Sequence, residues 1–295
     1  MASAPFDDRD GFIWFDGKLV DWRDAKVHVL THAMHYASAV FEGERAYGGE
    51  IFKSREHSER LRESARLIDF EVPWTAVEID AAKALTLAKN NLQDGYVRPI
   101  AFRGSEMMGV SAQHNKIHLA IAAWAWPSYF DPAQRAKGIR LDVAEYRRPD
   151  PRTAPSRSKA AGLYMICTIS KHRAERRGYA DALMLDWEGR VAECTGANVF
   201  FVKDGVIHTP IADCFLDGIT RRTVIDLARR RGMTVVERRI LPDELSSFSE
   251  CFITGSAAEV TPVGEIGPNR FTPGLLTTAL ADDYTREVRP KSQAA

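Results

Sequence analysis

The 295-residue sequence carries no excess charge of either sign, since 40 lysines and arginines balance 40 aspartates and glutamates. Without a large single-sign field there is little to hold nucleic acid or an anionic membrane. The expected partners are therefore small molecules or further copies of the chain. Cysteine is scarce: Cys167, Cys194, Cys214 and Cys251 stand far apart and form no C-x-x-C pair. That argues against a zinc ribbon or a disulfide framework and fits a reducing cytoplasm. Long hydrophobic runs are also missing. No stretch reaches the roughly 18 apolar residues of a membrane-spanning helix, and MASAPFDDRDGF has neither the basic start nor the apolar centre of a signal peptide. The expectation is a soluble, cytoplasmic protein. Internal repeats are absent, as are the P-loop, G-x-G-x-x-G, G-x-S-x-G and H-E-x-x-H patterns, which removes many enzyme classes.

What is present reads as a globular chain of mixed structure, with 45% apolar and 27% charged residues, close to the average for folded domains. Four turn signals, Asp16-Gly17, Gly48-Gly49, Glu188-Gly189 and Asp204-Gly205, lie between short β-rich runs and predict hairpins. Leu61, Ala65 and Ile68 recur at helical spacing and predict a helix over 55–70, capped by Ser54. A second helix is expected over 219–231, stopped by Gly232. Apolar strands at 117–124 and 139–145 flank PSYFDPAQRAKG, whose composition reads as a connection. The fold class is α/β with α+β character in two domains: 1–127, a connection over 128–138, and a larger domain over 139–295. A site is expected in the cleft between them, where pockets commonly form.

Several residues attract attention on chemistry alone. The spacing of His28, His32 and His35 suits metal ligands on one face, but β-branched neighbours favour packing or capping, and no metal site is expected. The arginines at 221–222 and 229–231 read mostly as a solvated helix face. Gly218-Ile219-Thr220 opens a helix and offers backbone N–H groups to a phosphate. Lys159 lies before small residues and an apolar run, where an amine that sheds its proton becomes a nucleophile toward carbonyls. A surface lysine at a loop end is the alternative, as a solvated strand end is for Glu193.

Seven runs taken in order make a more specific pattern: 14–47 ending in HYASAVFEGERAY, REHSERL at 55–61, YVRPIAF at 96–102, KAAGLY at 159–164, ECTGAN at 193–198, DGIT at 217–220 and GSAAEVTP at 255–262. They closely resemble the branched-chain aminotransferases, fold-type IV pyridoxal-phosphate enzymes, over nearly the whole chain. The resemblance implies transamination between leucine, isoleucine or valine and 2-oxoglutarate, with pyridoxal 5′-phosphate as cofactor. Lys159 matches the Schiff-base lysine and proton carrier, and Glu193 the carboxylate on the pyridine nitrogen. Tyr164 matches the partner of the cofactor 3′-oxygen. Arg60, the N–H groups of Ile219 and Thr220, and Ser256 match the phosphate cup.

By the same resemblance, Phe41, Tyr36, Trp126, Tyr129 and Val110 line the substrate pocket, with Tyr36 and Val110 donated by a neighbouring subunit of a homodimer or larger homo-oligomer. Arg98 and Tyr96 meet the side-chain carboxylate of glutamate. N–H groups of Ser256 and Ala257 meet the α-carboxylate, with Gly43 and Ala258 also against substrate. Three positions depart from the family: Ala197 where several members carry glutamate, Ser256 where threonine is common, and Glu44 in a place often apolar. The rivals of the same fold are D-amino-acid transaminases, R-selective amine transaminases and aminodeoxychorismate lyases.

Overall fold

The computed structural model describes residues 5–126 and 137–289. By packing, the chain divides into two units: residues 5–126 with Ser158–Gly162, and residues 137–157 with Leu163–Arg289. Most of the expected connection at 128–138 lies outside the described residues. The place of Lys159 along the chain predicts it in a C-terminal domain, yet the segment that carries it packs with the first unit. The reason is local bonding. Ala160 forms a β-bridge with Val40, Phe41 N–H donates to the Lys159 carbonyl at 3.2 Å, and Lys159 N–H donates to Ser64 Oγ at 3.0 Å.

The first unit holds one antiparallel sheet. Its strands are β1 (Phe12–Phe15), β2 (Lys18–Asp21), β3 (Ala39–Phe41), β4 (Glu44–Tyr47), β5 (Glu50–Ile51), β6 (Gly95–Arg103) and β7 (Ile117–Ala125). The order is β2-β1-β7-β6-β4-β5, with β3 also on β6. All four expected hairpins form, two of them here, joining β1 to β2 and β4 to β5. Asp16 and Gly17 both have positive φ (48 and 96), which a tight two-residue turn between right-twisted strands requires.

Helices α1 (His32–Tyr36), α2 (Ser54–Arg66) and α3 (Ala76–Lys89) complete this unit. In α2 the expected cap at Ser54 is not used: Lys53 turns left-handed ahead of the helix, and the Ser54 hydroxyl donates to Asp80 of α3 at 2.9 Å. The helix also stops at Arg66, short of 70, where a turn places Asp69 at φ 64.

One strand interruption organises the site. β3 and β4 both pair with the same edge of β6, and residues 42–43 are the gap between them. Pro99 of β6 lies opposite that gap and accepts the Glu42 N–H at 2.9 Å. A strand residue points its N–H and C=O to the same side, so the donor that proline lacks would have faced the gap, where pairing between β3 and β4 is already interrupted. Alternation then sorts the side chains. Val97, Ala101, Leu119 and Ile121 are fully buried, on the face that packs α3, while Tyr96, Arg98, Ile100 and Phe102 share the other face.

The second unit is a mixed sheet of β8 (Ile139–Val143), β9 (Asp181–Leu185), β10 (Val191–Cys194), β11 (Asn198–Lys203), β12 (Val206–Thr209), β13 (Val235–Glu237), β14 (Glu250–Gly255), β15 (Glu259–Ile266) and β16 (Asn269–Arg270). Its order is β10-β9-β8-β15-β14-β11-β12-β13, with β16 on β15. Two parallel pairs are each bridged by a helix, as parallel neighbours require: α4 (Met165–Arg176) between β8 and β9, and α5 (Ile219–Arg230) between β12 and β13. Helix α6 (Leu275–Val288) follows, its start capped by the buried Glu250 carboxylate through Thr277 N–H at 2.9 Å and Thr277 Oγ1 at 2.6 Å. Phe200 and Phe252 stack across β11 and β14 with ring centroids 4.9 Å apart.

The arginine runs of α5 need one correction. Arg222, Arg229, Arg230 and Arg231 are exposed, but Arg221 is fully buried. It bonds Asp217 at 2.8 Å, Glu237 at 2.7 Å and the Pro210 carbonyl at 2.9 Å. Its position in the helix turns it inward, and two carboxylates compensate its burial.

Candidate active site

In the first unit α2 presents His57, Arg60 and Ser64, spaced to share one face. Ser64 Oγ accepts the Lys159 N–H, and its carbonyl accepts the Ser158 hydroxyl at 2.8 Å. The Lys159 amine lies 5.0 Å from the Phe41 ring centroid. Desolvation lowers that amine to about 8, partly offset by the Glu42 carboxylate and reinforced by the Arg60 guanidinium. Such a lowering makes the unprotonated, nucleophilic form far easier to reach than for an exposed lysine.

Phe41 also lies 4.8 Å from the Arg98 guanidinium, and Arg98 Nη2 donates to the Tyr96 hydroxyl at 3.1 Å. The Tyr96 ring packs against Trp126 at 4.9 Å. Gly43 is a steric necessity here: a Cβ on it would meet the Tyr96 hydroxyl at 1.9 Å. The same sheet face continues into a hollow of about 410 Å³ lined in part by Ile13, Phe15, Ile100, Phe102, Ala120 and Ala122. Ala120 and Ala122 are among the small side chains that leave room there.

The structure therefore brings Lys159, Phe41, Gly43, Tyr96, Arg98 and Trp126 together, with Arg60 nearby on α2. Tyr36 and Val110 stand elsewhere, 45% and 86% exposed. His32 joins them in one patch, stacking on Tyr36 at 4.6 Å and bonding the Gly109 carbonyl at 2.8 Å. His28 and His35 make separate local bonds, to Leu30 N–H and the Val29 carbonyl. Tyr129 lies outside the described residues.

In the second unit the buried Glu193 sits on β10 with Arg148 Nε at 3.3 Å. Arg148 is 4% exposed. Despite its burial, the Glu193 charge holds its pKa above the usual guanidinium value. Tyr164, at the start of α4, is within electrostatic reach of Arg148. Asn198 links this pair to α5: its Nδ2 donates to Glu193 at 3.3 Å and to the Leu216 carbonyl at 3.0 Å, while its Oδ1 accepts the Gly218 N–H at 3.2 Å.

Helix α5 begins at Ile219 after Gly218 with no side-chain cap, so its first-turn N–H groups and dipole suit an anion. Ser256, Ala257 and Ala258 form the turn between β14 and β15. That turn neighbours the one at 195–197, since a Cβ on Gly255 would lie 3.4 Å from the Gly196 carbonyl. Ala197 is 7% exposed and belongs to the apolar core with Val199 and Ala258.

The sequence pattern does not single out Glu42, His57, Arg148 or Asn198. For Glu42 a signal existed: a lone acid inside SAVFEG, with His57 and Arg60 three apart on a helix. Glu44 is fully buried and bonds Lys83 Nζ of α3 at 2.8 Å, so this departure is matched by a buried cation. Burial pushes the Glu44 carboxyl up to about 8, against the pull of Lys83 and with the help of Glu42.

The amino-transferase class IV family model matches residues 39–266, and the chain belongs to that family. It is 42% identical over 294 residues to a branched-chain-amino-acid aminotransferase of Pseudomonas aeruginosa, covering 97% of this chain and 96% of that protein. The branched-chain aminotransferase of Thermoproteus uzoniensis, solved with norvaline, superposes with a TM-score of 0.92 at 37% identity, covering 97% of each chain. That of Thermobaculum terrenum, solved in its PLP-form, gives 0.86 at 30% identity, covering 95% of this chain and 94% of that one. No described helix is long and apolar enough to cross a membrane.

Proposed function

We propose that the chain is a pyridoxal 5′-phosphate-dependent transaminase that exchanges the amino group between leucine, isoleucine or valine and 2-oxoglutarate, with Lys159 as its catalytic lysine. The observation that carries this reading is the desolvated Lys159 amine, lowered to about 8 beside Phe41. The remaining donors suit the cofactor: an uncapped helix start for a phosphate, and a buried carboxylate backed by arginine for a ring nitrogen. When bound, the cofactor supplies a carbonyl to join the substrate amine and a ring to take up electrons from Cα.

Lys159 moves the proton to and from the substrate Cα. Glu193, with the Arg148 guanidinium 3.3 Å away, would face the ring nitrogen and favour its protonated form. Tyr164 donates to the 3′-oxygen, and Arg60, the Ile219 and Thr220 N–H groups and Ser256 hold the phosphate. Phe41, Gly43 and Trp126 wall an aliphatic side chain. Arg98, steadied by Tyr96, meets the side-chain carboxylate of glutamate, so one pocket serves both substrates. N–H groups of Ser256, Ala257 and Ala258 take the α-carboxylate. Exposed Tyr36 and Val110 reach the site of a second copy in a homodimer. The enzyme works in the cytoplasm.

The test is a half-reaction. Full-length protein carrying cofactor is mixed separately with L-leucine, L-glutamate, D-alanine and an R-amine while the visible cofactor band is followed. Loss of the band with both L-substrates is expected. Loss only with D-alanine or the amine would move the protein to a sister activity, and no band at all would sink the cofactor assignment. Lys159→Ala should cut turnover by at least about 10²–10⁴-fold, the range for a positioned acid/base.

A further inference from the structure

Glu42 occupies an unusual place. It is fully buried in the gap between β3 and β4, with its side-chain partners on α2. Arg60 Nε donates to Oε1 at 2.7 Å and Arg60 Nη2 to Oε2 at 2.8 Å, a two-bond fork. His57 Nδ1 lies 2.7 Å from Oε2. Burial favours the neutral carboxyl, but Arg60 and then His57 outweigh it and hold the group well below the usual carboxylate range. A planar guanidinium gripped along its Nε–Nη2 edge has no rotation left, and its Nη1–Nη2 edge is fixed in direction, away from Glu42.

We propose that Glu42, braced by His57, is a positioning residue: it sets the plane of Arg60 so that the outer edge of the guanidinium meets the cofactor phosphate. This rests on the reading of Arg60 as a phosphate ligand and names what aims it. Two effects of opposite sign compete. The Glu42 charge offsets part of the attraction between Arg60 and a phosphate, whereas the clamp removes the rotamer freedom of a long side chain that would otherwise be ordered on binding. The second wins if the fork is intact, because a carboxylate with all its strong partners in place keeps one geometry.

The experiment compares the affinities of full-length protein for pyridoxal 5′-phosphate and for pyridoxal, which lacks the phosphate, by growth of the visible band. In Glu42→Gln the amide group opposes an Arg60 N–H and breaks the fork. Its affinity for pyridoxal 5′-phosphate should fall about 10–100-fold, as for other residues that orient a ligand group, while pyridoxal changes little. Glu42→Asp, which keeps the charge but withdraws it by one methylene, should fall in the same way. His57→Leu should show a smaller loss of the same kind, which keeps the test alive if the Glu42 variants do not fold. Equal losses for both ligands, no loss, or tighter phosphate binding in Glu42→Gln would overturn the proposal. Arg60→Met separates the two levels: if it leaves the preference for the phosphorylated ligand intact, the reading of Arg60 itself fails; if it abolishes that preference while the Glu42 and His57 variants keep it, only the positioning role fails.

Discussion

The two units bury charge behind a candidate site group with opposite polarity. In the first, a carboxylate with no exposure grips an arginine whose side chain is 15% exposed. In the second, an arginine 4% exposed backs a glutamate whose side chain is 10% exposed. In each case the deeper charge is the counter-ion and the shallower one is the group proposed to meet the cofactor. Burial of a pair is rarely a net gain in stability over apolar packing. On the proposed reading its use is to fix the direction of the outer member.

The largest break in this comparison should come from Arg148→Met, which strands Glu193 in a buried setting. Loss of one partner of a buried pair costs about 3–5 kcal/mol, read as denaturant midpoint, and the visible band should shift as the carboxylate takes up a proton. An unchanged band would mean that Arg148 does not hold Glu193 ionised.

A smaller effect concerns acid. Burial lowers His57 to about 4 from its ordinary value of 6.5, against the pull of Glu42. With Glu42 already neutralised by Arg60, a second cation there has little to gain. The unfolded chain therefore binds more protons between those values, and stability present above about 6.5 is lost as the pH falls toward 4. At pH 5 this amounts to about 2 kcal/mol. Denaturation midpoints between pH 7 and 4.5 should fall less steeply in His57→Leu, and equal slopes would place the charge uptake elsewhere.

The smallest effect should come from a pair that backs no site group. Glu44→Leu with Lys83→Met replaces a buried hydrogen-bonded pair by apolar side chains and should leave stability near the parent or slightly above it, while either single change costs more. Cofactor affinity in the double variant should stay within about threefold, because the pair shares no hydrogen bond with Glu42, His57 or Arg60: Lys83 bonds Glu44 and the Ser54 carbonyl. A marked loss of cofactor would show that all buried charge in this unit, not only the Glu42 clamp, serves the site.

Hairpins were the most legible part of the fold, because a dipeptide such as Asp204-Gly205 with φ 49 and 77 carries its own turn chemistry. The seven runs made the family legible, and with it the proposal of Lys159 and Glu193 as site residues. The deeper charges were not legible. Glu42 meets Arg60 eighteen residues along the chain, and neither member by itself differs from a solvated residue. Ser54 reads as a cap because serine before a helix usually is one, but Asp80 claims its hydroxyl. The allegiance of Lys159 was hidden for a similar reason: Ser64 and Val40 decide it, and both lie far away in sequence.

That allegiance has a consequence for how the chain is made. When residue 126 has left the ribosome, the first sheet and the acidic and aromatic groups around its site can already fold, as N-terminal units do during synthesis. The lysine they enclose is still unmade. It arrives only with Ser158–Gly162, so a product truncated before that point would hold Phe41, Tyr96 and Arg98 in place without the proposed catalytic lysine.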